Sequence, residues 1–320
     1  MGKPTVLVTR KIMQDGVDLL ASVFDVDYNL EDRPFSMSEL IERAKSKDAL
    51  VTILTDRIDE SVLAALPGLK VVANVAVGFD NIDTVAAKKY QVAVTNTPGV
   101  LTEATADFAF TLLLASARRV AEADRYVRAG KFHSWEMMGF HGGDLAGATL
   151  GIAGLGRIGQ AVARRGRGFG MHVIYADEQR ANAAIEAELD ARYVDKETLL
   201  RSSDYVSLHV PLLPQTHHYI GESELKAMKK TAYLINSSRG PVIDEAALAR
   251  GLRDGEIAGA GLDVFEREPL VDPLLLTLEN VVLAPHIASA TVATRRKMAV
   301  MAAENAIAVI RGHEPPNRVA

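Results

Sequence analysis

Three polar residues, Arg239, Glu268 and His286, each follow a short apolar segment that is typical of a β-strand. The segments are TAYLINSS, IAGAGLDVF and VVLAPH, the last ending on His286 itself. In an open α/β sheet, ligands bind beyond the carboxyl ends of the strands. A guanidinium, a carboxylate and an imidazole at that edge could bind an anion and move a proton. Taken singly, each has an ordinary alternative as a solvated or structural residue.

The three side chains together suit the reduction of a 2-oxo acid. Arg239 can pair its planar guanidinium with the substrate carboxylate. Hydride addition places negative charge on the carbonyl oxygen, and His286 is the expected proton donor. A carboxylate from Glu268 in contact with the imidazole would favour the protonated ring. We therefore predict catalytic roles for all three residues, and substrate binding for Arg239 and His286.

The segment GLGRIG at 154–159 matches the pattern G-x-G-x-x-G. A strand-like segment, ATLGIA, precedes it, and the helix-like IGQAVARRGRGFG begins within it. Such glycines allow a tight turn and close approach of a pyrophosphate to a helix N-terminus. The alternative is a glycine-rich turn that binds nothing. The predicted dinucleotide-binding residues of this loop are Gly154, Gly156, Arg157, Ile158 and Gly159.

Two carboxylates follow the next strand-like segment, HVIYAD. Asp177 stands where a carboxylate can accept hydrogen bonds from an adenosine ribose, and Glu178 is beside it. Both charges would repel a 2′-phosphate. Arg180 could pair with such a phosphate, or it could be a solvated loop residue. The balance favours NAD, in its reduced form NADH, and leaves NADP possible.

Two further positions combine polar chemistry with a strand end. The backbone N–H groups of Val77 and Gly78 in VGFDNID could bind a carboxylate. Alternatively the segment is an ordinary turn, with Asn81 or Asp83 near the start of a helix. Asp263 could accept a hydrogen bond from a nicotinamide carboxamide, or it could be a buried residue satisfied by backbone groups.

Strand-like and helix-like segments alternate along the chain and predict parallel sheets with helical crossovers. In the first series, strands are predicted at 5–9, 49–55, 69–77 and 92–97, with helices at 38–46, 59–67 and 82–90. One long helical segment is predicted at 103–129, and a second alternating series at 148–286. A final helix is predicted at 290–312. The two series indicate two similar lobes.

Length and composition narrow the class of protein. A chain of 320 residues is long enough for two domains. Its net charge of −5 offers no basic surface for nucleic acid. It contains no cysteine, which excludes disulfides and thiolate metal sites and is compatible with a cytoplasmic location. The apolar stretches are too short to span a bilayer, and we expect neither a signal peptide nor a myristoyl anchor.

Four motifs together closely resemble the D-isomer-specific 2-hydroxyacid dehydrogenase family. They are GLGRIG with Asp177, NSSRGPVIDEAAL around Arg239, GLDVFEREP around Glu268 and PHIASAT around His286. They occur in the family's order, and the resemblance covers essentially the whole chain. The segments TRKI at 9–12, LVTILTDRID at 50–59, VGFDNID and LTEATADFAFTLLLASARR look most like the glyoxylate/hydroxypyruvate reductase branch.

The resemblance implies a fold and an activity. The fold would be α/β, with two flavodoxin/Rossmann-like, doubly wound parallel-sheet domains. The NAD-binding domain, 102–287, would be inserted into a substrate domain made of 1–101 and 288–320. The activity would be NAD(P)-dependent reduction of glyoxylate or hydroxypyruvate, without a metal. Alternatives are another specificity, such as 2-oxogluconate or phosphite, or a non-catalytic NAD-binding regulatory protein.

The resemblance also implies roles for residues outside the four motifs. Pro211 in HVPL and Ser237 would lie along the cofactor. Leu54 and the Val77–Gly78 turn would contact the substrate. NADP-using members of the branch tend to carry Ser or Arg where this chain has Asp177 and Glu178, so the resemblance does not imply a preference for NADP.

The family is usually homodimeric, and the resemblance implies a homodimer formed through the cofactor domain. The arm near Trp135, the only tryptophan in the chain, would lie at the interface. Trp135 would reach the partner's active site or serve as a plain interface anchor.

Overall fold

The computed structural model describes residues 2–320, which form two compact units. One runs to Leu101 and resumes at Ser289–Ala320, and the other is Thr102–Ala288. We call them the split unit and the inserted unit. Each contains a single parallel sheet, so the predicted fold class of two α/β domains is confirmed. That one unit binds substrate and the other the cofactor stays a prediction.

The regular elements are numbered in chain order. The strands are β1 (Thr5–Val8), β2 (Asp25–Tyr28), β3 (Ala49–Thr52), β4 (Val71–Asn74), β5 (Ala93–Thr95), β6 (Thr149–Ala153), β7 (His172–Ala176), β8 (Ala191–Tyr193), β9 (Tyr205–Leu208), β10 (Tyr233–Asn236), β11 (Gly259–Leu262) and β12 (Val281–Leu283). The helices are α1 (Gln14–Ala21), α2 (Met37–Ala44), α3 (Glu60–Ala65), α4 (Thr84–Lys89), α5 (Thr102–Ala117), α6 (Val120–Arg128), α7 (Arg157–Gly168), α8 (Ala183–Leu189), α9 (Lys196–Ser202), α10 (Glu222–Ala227), α11 (Glu245–Arg253) and α12 (Val292–Ile310).

The split unit has a five-stranded parallel sheet in the order β2-β1-β3-β4-β5. The last helix, α12, packs against α1 and against β3 and β4. Gly16 permits the close contact between α1 and α12, because a Cβ at this position would lie 2.8 Å from Ala299. The sequence analysis did not identify β2. Its segment, DVDY, alternates charged and apolar residues and forms an edge strand of the sheet.

The inserted unit has a seven-stranded parallel sheet in the order β12-β11-β10-β9-β6-β7-β8. Separate apolar clusters cover its two faces, and residues alternate between them along a strand. On β10, for example, Leu234 belongs to one cluster and Ile235 to the other. Both faces are covered, which explains why these strands are almost continuously apolar. Strands β7 and β8 extend the sheet to one side of β6, and β9 begins its extension on the other side. Such sheets bind ligands at this point, where the strand order reverses.

The single helix predicted at 103–129 is wrong, because the chain breaks between α5 and α6. Arg119 at the break has a left-handed φ of +52°. Helix α5 is buried against α7, β10 and β11, whereas α6 has no buried residue. The break therefore lies where the chain leaves the core. Among residues 2–320, none of the helices is both long enough and apolar enough to cross a membrane.

Candidate active site

Three adjacent strands of the inserted unit carry the predicted catalytic residues. In the ladder, Asn236 of β10 is level with Leu262 of β11, which is level with Leu283 of β12. Because the strands are parallel, the loops that follow them leave the same edge of the sheet. Those three loops contain Arg239, Glu268 and His286, as the sequence analysis expected.

Glu268 and His286 are in direct contact. The Glu268 Oε2 atom lies 2.9 Å from His286 Nδ1, and the two side chains are 28% and 25% exposed. Burial by itself would raise the pKa of Glu268. The hydrogen bond and charge of His286, the Phe265 N–H and the Arg239 charge outweigh burial and lower this pKa below its usual value. Glu268 is therefore ionised at neutral pH beside the imidazole.

Asp263 fixes the backbone around His286. Its carbonyl oxygen accepts the His286 N–H at 2.8 Å, and its carboxylate accepts the N–H groups of Ile287 at 2.7 Å and Ala288 at 2.8 Å. These bonds hold His286 at a left-handed φ of +56°, which costs a non-glycine residue about 1–2 kcal/mol.

The Asp263 side chain is fully buried, and burial raises its pKa against the effect of the N–H groups. The Asp263 carboxylate is thus satisfied by backbone N–H groups, which was one of the two alternatives. Its contact with a nicotinamide carboxamide stays a prediction.

Arg239 is held in a half-buried loop by its neighbours. The Asn236 side chain bridges this loop, donating to the Arg239 carbonyl at 2.9 Å and accepting the Ser238 N–H at 3.0 Å. Gly240 packs against the loop that carries Glu268, because a Cβ there would lie 1.8 Å from the Phe265 carbonyl oxygen. Sequence reasoning missed both Asn236 and Gly240, although they flank Arg239 in the motif NSSRGP.

Glu245, the first residue of α11, anchors the loop that carries Glu268. Its carboxylate accepts the N–H groups of Glu266 and Asp272, each at 2.7 Å. In return, its own N–H donates to Glu266 Oε2 at 3.1 Å. Glu245 was not predicted from the sequence. A carboxylate in the first turn of a helix is usually explained by the helix dipole. Its residue type and position therefore do not indicate that it also supports a loop.

The three glycines of the loop at 154–159 differ in whether conformation or packing requires the absence of a side chain. Gly154 has φ +90°, and a Cβ there would lie 2.9 Å from the His209 carbonyl group. A Cβ at Gly159 would lie 2.1 Å from the Gly154 oxygen. Gly156 has an ordinary φ of −69°, and a Cβ there would meet nothing within 4 Å.

Neither conformation nor packing within residues 2–320 requires glycine at position 156. Its side-chain-free surface precedes α7, whose N-terminus has no side-chain cap. The geometry fits a phosphate that approaches the backbone closely.

Three charged residues follow β7, and two of them are held by separate hydrogen bonds. Asp177 Oδ2 accepts the Leu155 N–H at 2.7 Å, which ties the end of β7 to the glycine loop. Arg180 pairs with Glu186 through two bonds of 2.9 Å, Nε to Oε1 and Nη2 to Oε2. Glu178 is exposed. The guanidinium that could have bound a 2′-phosphate is therefore engaged by a carboxylate.

Pro211 and Ser237, predicted to lie along the cofactor, follow β9 and β10. The buried Ser237 Oγ has no hydrogen-bond partner among residues 2–320, so its hydrogen-bonding capacity is unused. His209, between β9 and Pro211, lies 2.8 Å from Ser207 Oγ through its Nε2 atom. Burial lowers the pKa of His209 to about 4, so the ring beside the glycine loop is neutral at pH 7.

In the split unit, Leu54 follows β3 and the Val77–Gly78 turn follows β4. The Asn74 side chain donates to the Gly78 carbonyl at 3.0 Å, which orients the turn. Among residues 2–320, neither the Val77 nor the Gly78 N–H donates to another protein group. Asp83 caps α4 by accepting two N–H groups, so the helix-start alternative holds for Asp83. It does not exclude anion binding by the preceding turn.

Comparison with known proteins identifies close relatives over the whole chain. Residues 110–288 match the family model described as D-isomer specific 2-hydroxyacid dehydrogenase, NAD binding domain. A glyoxylate reductase of Korarchaeum cryptofilum is 56% identical over 319 residues, which cover 99% of this chain and 96% of that protein. A glyoxylate reductase of Thermococcus litoralis is 51% identical over 321 residues, which cover 99% of this chain and 97% of that protein.

A solved structure shares the same fold. The NADPH-dependent glyoxylate/hydroxypyruvate reductase of Sinorhizobium meliloti, in complex with NADP and malonate, gives a TM-score of 0.89 with 33% sequence identity. The match covers 100% of this chain and 97% of that one. The resemblance identified from the four motifs is confirmed by these relatives.

Proposed function

The chain belongs to the D-isomer-specific 2-hydroxyacid dehydrogenase family, and from that premise we propose that it reduces glyoxylate and hydroxypyruvate to their 2-hydroxy acids. The observation that carries this proposal is the 2.9 Å contact between His286 and Glu268, in the same unit as a dinucleotide-type glycine loop. A bound nicotinamide cofactor supplies the hydride.

In the proposed reaction, Arg239 binds the carboxylate of the 2-oxo acid. Its guanidinium is permanently charged, and its planar fork matches two carboxylate oxygens. His286 donates the Nε2 proton to the carbonyl oxygen as that oxygen gains negative charge. Glu268 accepts a hydrogen bond from the Nδ1–H group, which orients the ring and stabilises its cationic form. After transfer, the imidazole is neutral and takes a proton from solvent.

We propose NAD as the preferred cofactor, with NADP as the poorer alternative. Asp177 has one oxygen bonded to the Leu155 N–H, which leaves the other to accept from a ribose hydroxyl. Its charge and that of Glu178 oppose a 2′-phosphate. Arg180 is paired with Glu186, which supports the same preference.

We further propose that Leu54 and the Val77–Gly78 turn contact the substrate, the turn through its N–H groups. Pro211, Ser237 and Asp263 are proposed cofactor contacts, as are the residues of the glycine loop.

We also propose a homodimer formed through the inserted unit. The segment at 132–138 exposes four large apolar side chains, with exposed fractions between 61% and 80%: Phe132, Trp135, Met137 and Met138. Monomeric proteins seldom leave such a cluster uncovered. A monomeric mass in solution would contradict this assembly.

The proposed function is tested by a matrix of steady-state rates. NADH and NADPH are each combined with glyoxylate, hydroxypyruvate, pyruvate and 2-oxogluconate. Phosphite is combined with NAD⁺ instead, because it would be oxidised. We expect glyoxylate and hydroxypyruvate to give the highest kcat/KM, with NADH favoured over NADPH. Turnover of phosphite or 2-oxogluconate alone would replace the substrate assignment. NADH binding without turnover of any acid would instead support a regulatory protein.

A further inference from the structure

A cluster of metal-ligating side chains lies outside the residues assigned to the reaction. It consists of His217 and His218, in the loop after β9, and Glu266, in the loop after β11. One donor atom from each of the three residues lies within 4.8 Å of the others. The His218 Nε2 atom is 3.0 Å from Glu266 Oε1, and the two imidazole rings have centroids 4.0 Å apart.

The two loops are held in place by protein contacts alone. His218 adopts a left-handed φ of +50°, and its N–H donates to the Pro241 carbonyl at 2.8 Å. Glu266 exchanges backbone and carboxylate hydrogen bonds with Glu245, at 2.7 Å and 3.1 Å. Those bonds use Glu266 Oε2 and leave Oε1 directed at His218. The donor atoms of His218 and Glu266 are therefore positioned before any ligand binds, which reduces the ordering cost of binding.

We propose that His217, His218 and Glu266 bind a divalent transition-metal ion of the zinc type. Two imidazole nitrogens and one carboxylate oxygen suit Zn²⁺, and also Ni²⁺ or Cu²⁺, better than Mg²⁺ or Ca²⁺. Metal–ligand bonds of about 2.0–2.2 Å in a tetrahedron separate donor atoms by roughly 3.3–3.5 Å. The 3.0 Å pair needs only a small adjustment to reach that separation. Water fills the fourth position, because the cluster is open to solvent.

The ordinary alternative is a stacked pair of surface histidines with one ion pair to Glu266. The His218 side chain is 37% exposed and that of Glu266 27% exposed, so such a pair would be stable without an ion. The two explanations differ at His217. In the alternative, His217 only stacks on its neighbour, whereas in the metal site it supplies a ligand.

Metal binding has a structural consequence. Glu266 follows Phe265, whose N–H donates to Glu268 at 3.1 Å. An ion at the cluster links the loop after β9 to the loop that carries Glu268. A ligand that binds only the folded chain also stabilises it, so Tm should rise with metal concentration.

The test uses the full chain after removal of metal with a chelator. Calorimetric titration with ZnCl₂ and the Zn²⁺ dependence of Tm are measured for the unaltered chain and for His217→Ala. We expect one Zn²⁺ per chain at the strongest site. His217→Ala should weaken binding at least about tenfold, since even indirect supports of a metal site contribute that much.

The matched control is His313→Ala, which removes an exposed histidine of the split unit. It should bind Zn²⁺ as the unaltered chain does. Glu266→Gln is a second variant that nearly preserves size while removing the carboxylate, and it too should weaken binding. The proposal is overturned if the unaltered chain shows no saturable binding, or if His217→Ala binds Zn²⁺ with unchanged affinity.

Discussion

Replacement of His286 by alanine is expected to lower kcat for glyoxylate reduction by about 10²–10⁴-fold, the usual contribution of a positioned general acid. The variant keeps the glycine loop, so its affinity for NADH should be unchanged. The comparison requires steady-state rates together with NADH binding followed by fluorescence. Full activity in His286→Ala would show that another group donates the proton.

Glu268→Gln is a second variant that tests the same step. The reduction uses a proton from the His286 imidazole, which Glu268 contacts through Nδ1. Glu268 is negatively charged at neutral pH because His286 and Arg239 lower its pKa against the effect of burial. The glutamine has no charge to stabilise the imidazolium 2.9 Å away. We therefore expect Glu268→Gln to lower kcat for glyoxylate reduction, and a kcat equal to that of the unaltered chain would exclude this role for Glu268.

Replacement of Arg239 by alanine is expected to lower kcat/KM by roughly 30- to 4,000-fold. Loss of one partner from a desolvated charge pair costs about 2–5 kcal/mol, and each 1.4 kcal/mol is a factor of ten. Arg239→Lys should recover part of the activity, since it restores a charge without the planar fork. Steady-state kinetics with glyoxylate and hydroxypyruvate measure both effects.

Arg253→Ala is the control for loss of a guanidinium, because Arg253 is exposed at the end of α11 and its ion pair within residues 2–320 is with the adjacent Asp254. It should change kcat/KM by less than about twofold. An Arg239→Ala variant with the same kcat/KM as Arg253→Ala would remove Arg239 from the substrate site. Circular dichroism of each variant separates loss of function from loss of fold.

Sequence reasoning identified the alternation of strands and helices and the loop edge that carries Arg239, Glu268 and His286. It succeeded because parallel strands bring their carboxyl ends to one edge, so chain position alone indicates proximity. The glycine pattern was equally informative, since Gly154 and Gly159 are required by conformation and close packing.

The residues that sequence reasoning missed support loops, one through a contact with a distant segment and one through local contacts. Glu245 supports the loop at 264–272, and Asn236 closes the loop at 236–239. The residue types of Glu245 and Asn236 do not indicate which backbone groups they bind. The break at Arg119 also gave no signal, because no glycine or proline occurs there and the segment ASARRVAEAD favours helix throughout. Burial of α5 and exposure of α6, which only the fold reveals, account for it.

The Arg180 alternatives show the same limit. From sequence, the guanidinium could have bound a phosphate or solvent. In the structure its side chain is 65% exposed and pairs with Glu186 of α8, so the solvated alternative describes it, with a partner that depends on where α8 lies. The proposed preference for NAD is supported by this pairing, since the guanidinium is engaged by a carboxylate.

Direct hydride transfer from the nicotinamide to the substrate carbon can be followed with an isotope. Hydroxypyruvate is reduced by the unaltered chain with NADH that carries deuterium at both C4 positions, and the product is analysed by NMR and chiral chromatography. The proposed reaction predicts D-glycerate with one deuterium at C2 for each NADH oxidised. Glycerate without deuterium at C2, or oxidation of NADH without formation of glycerate, would contradict it.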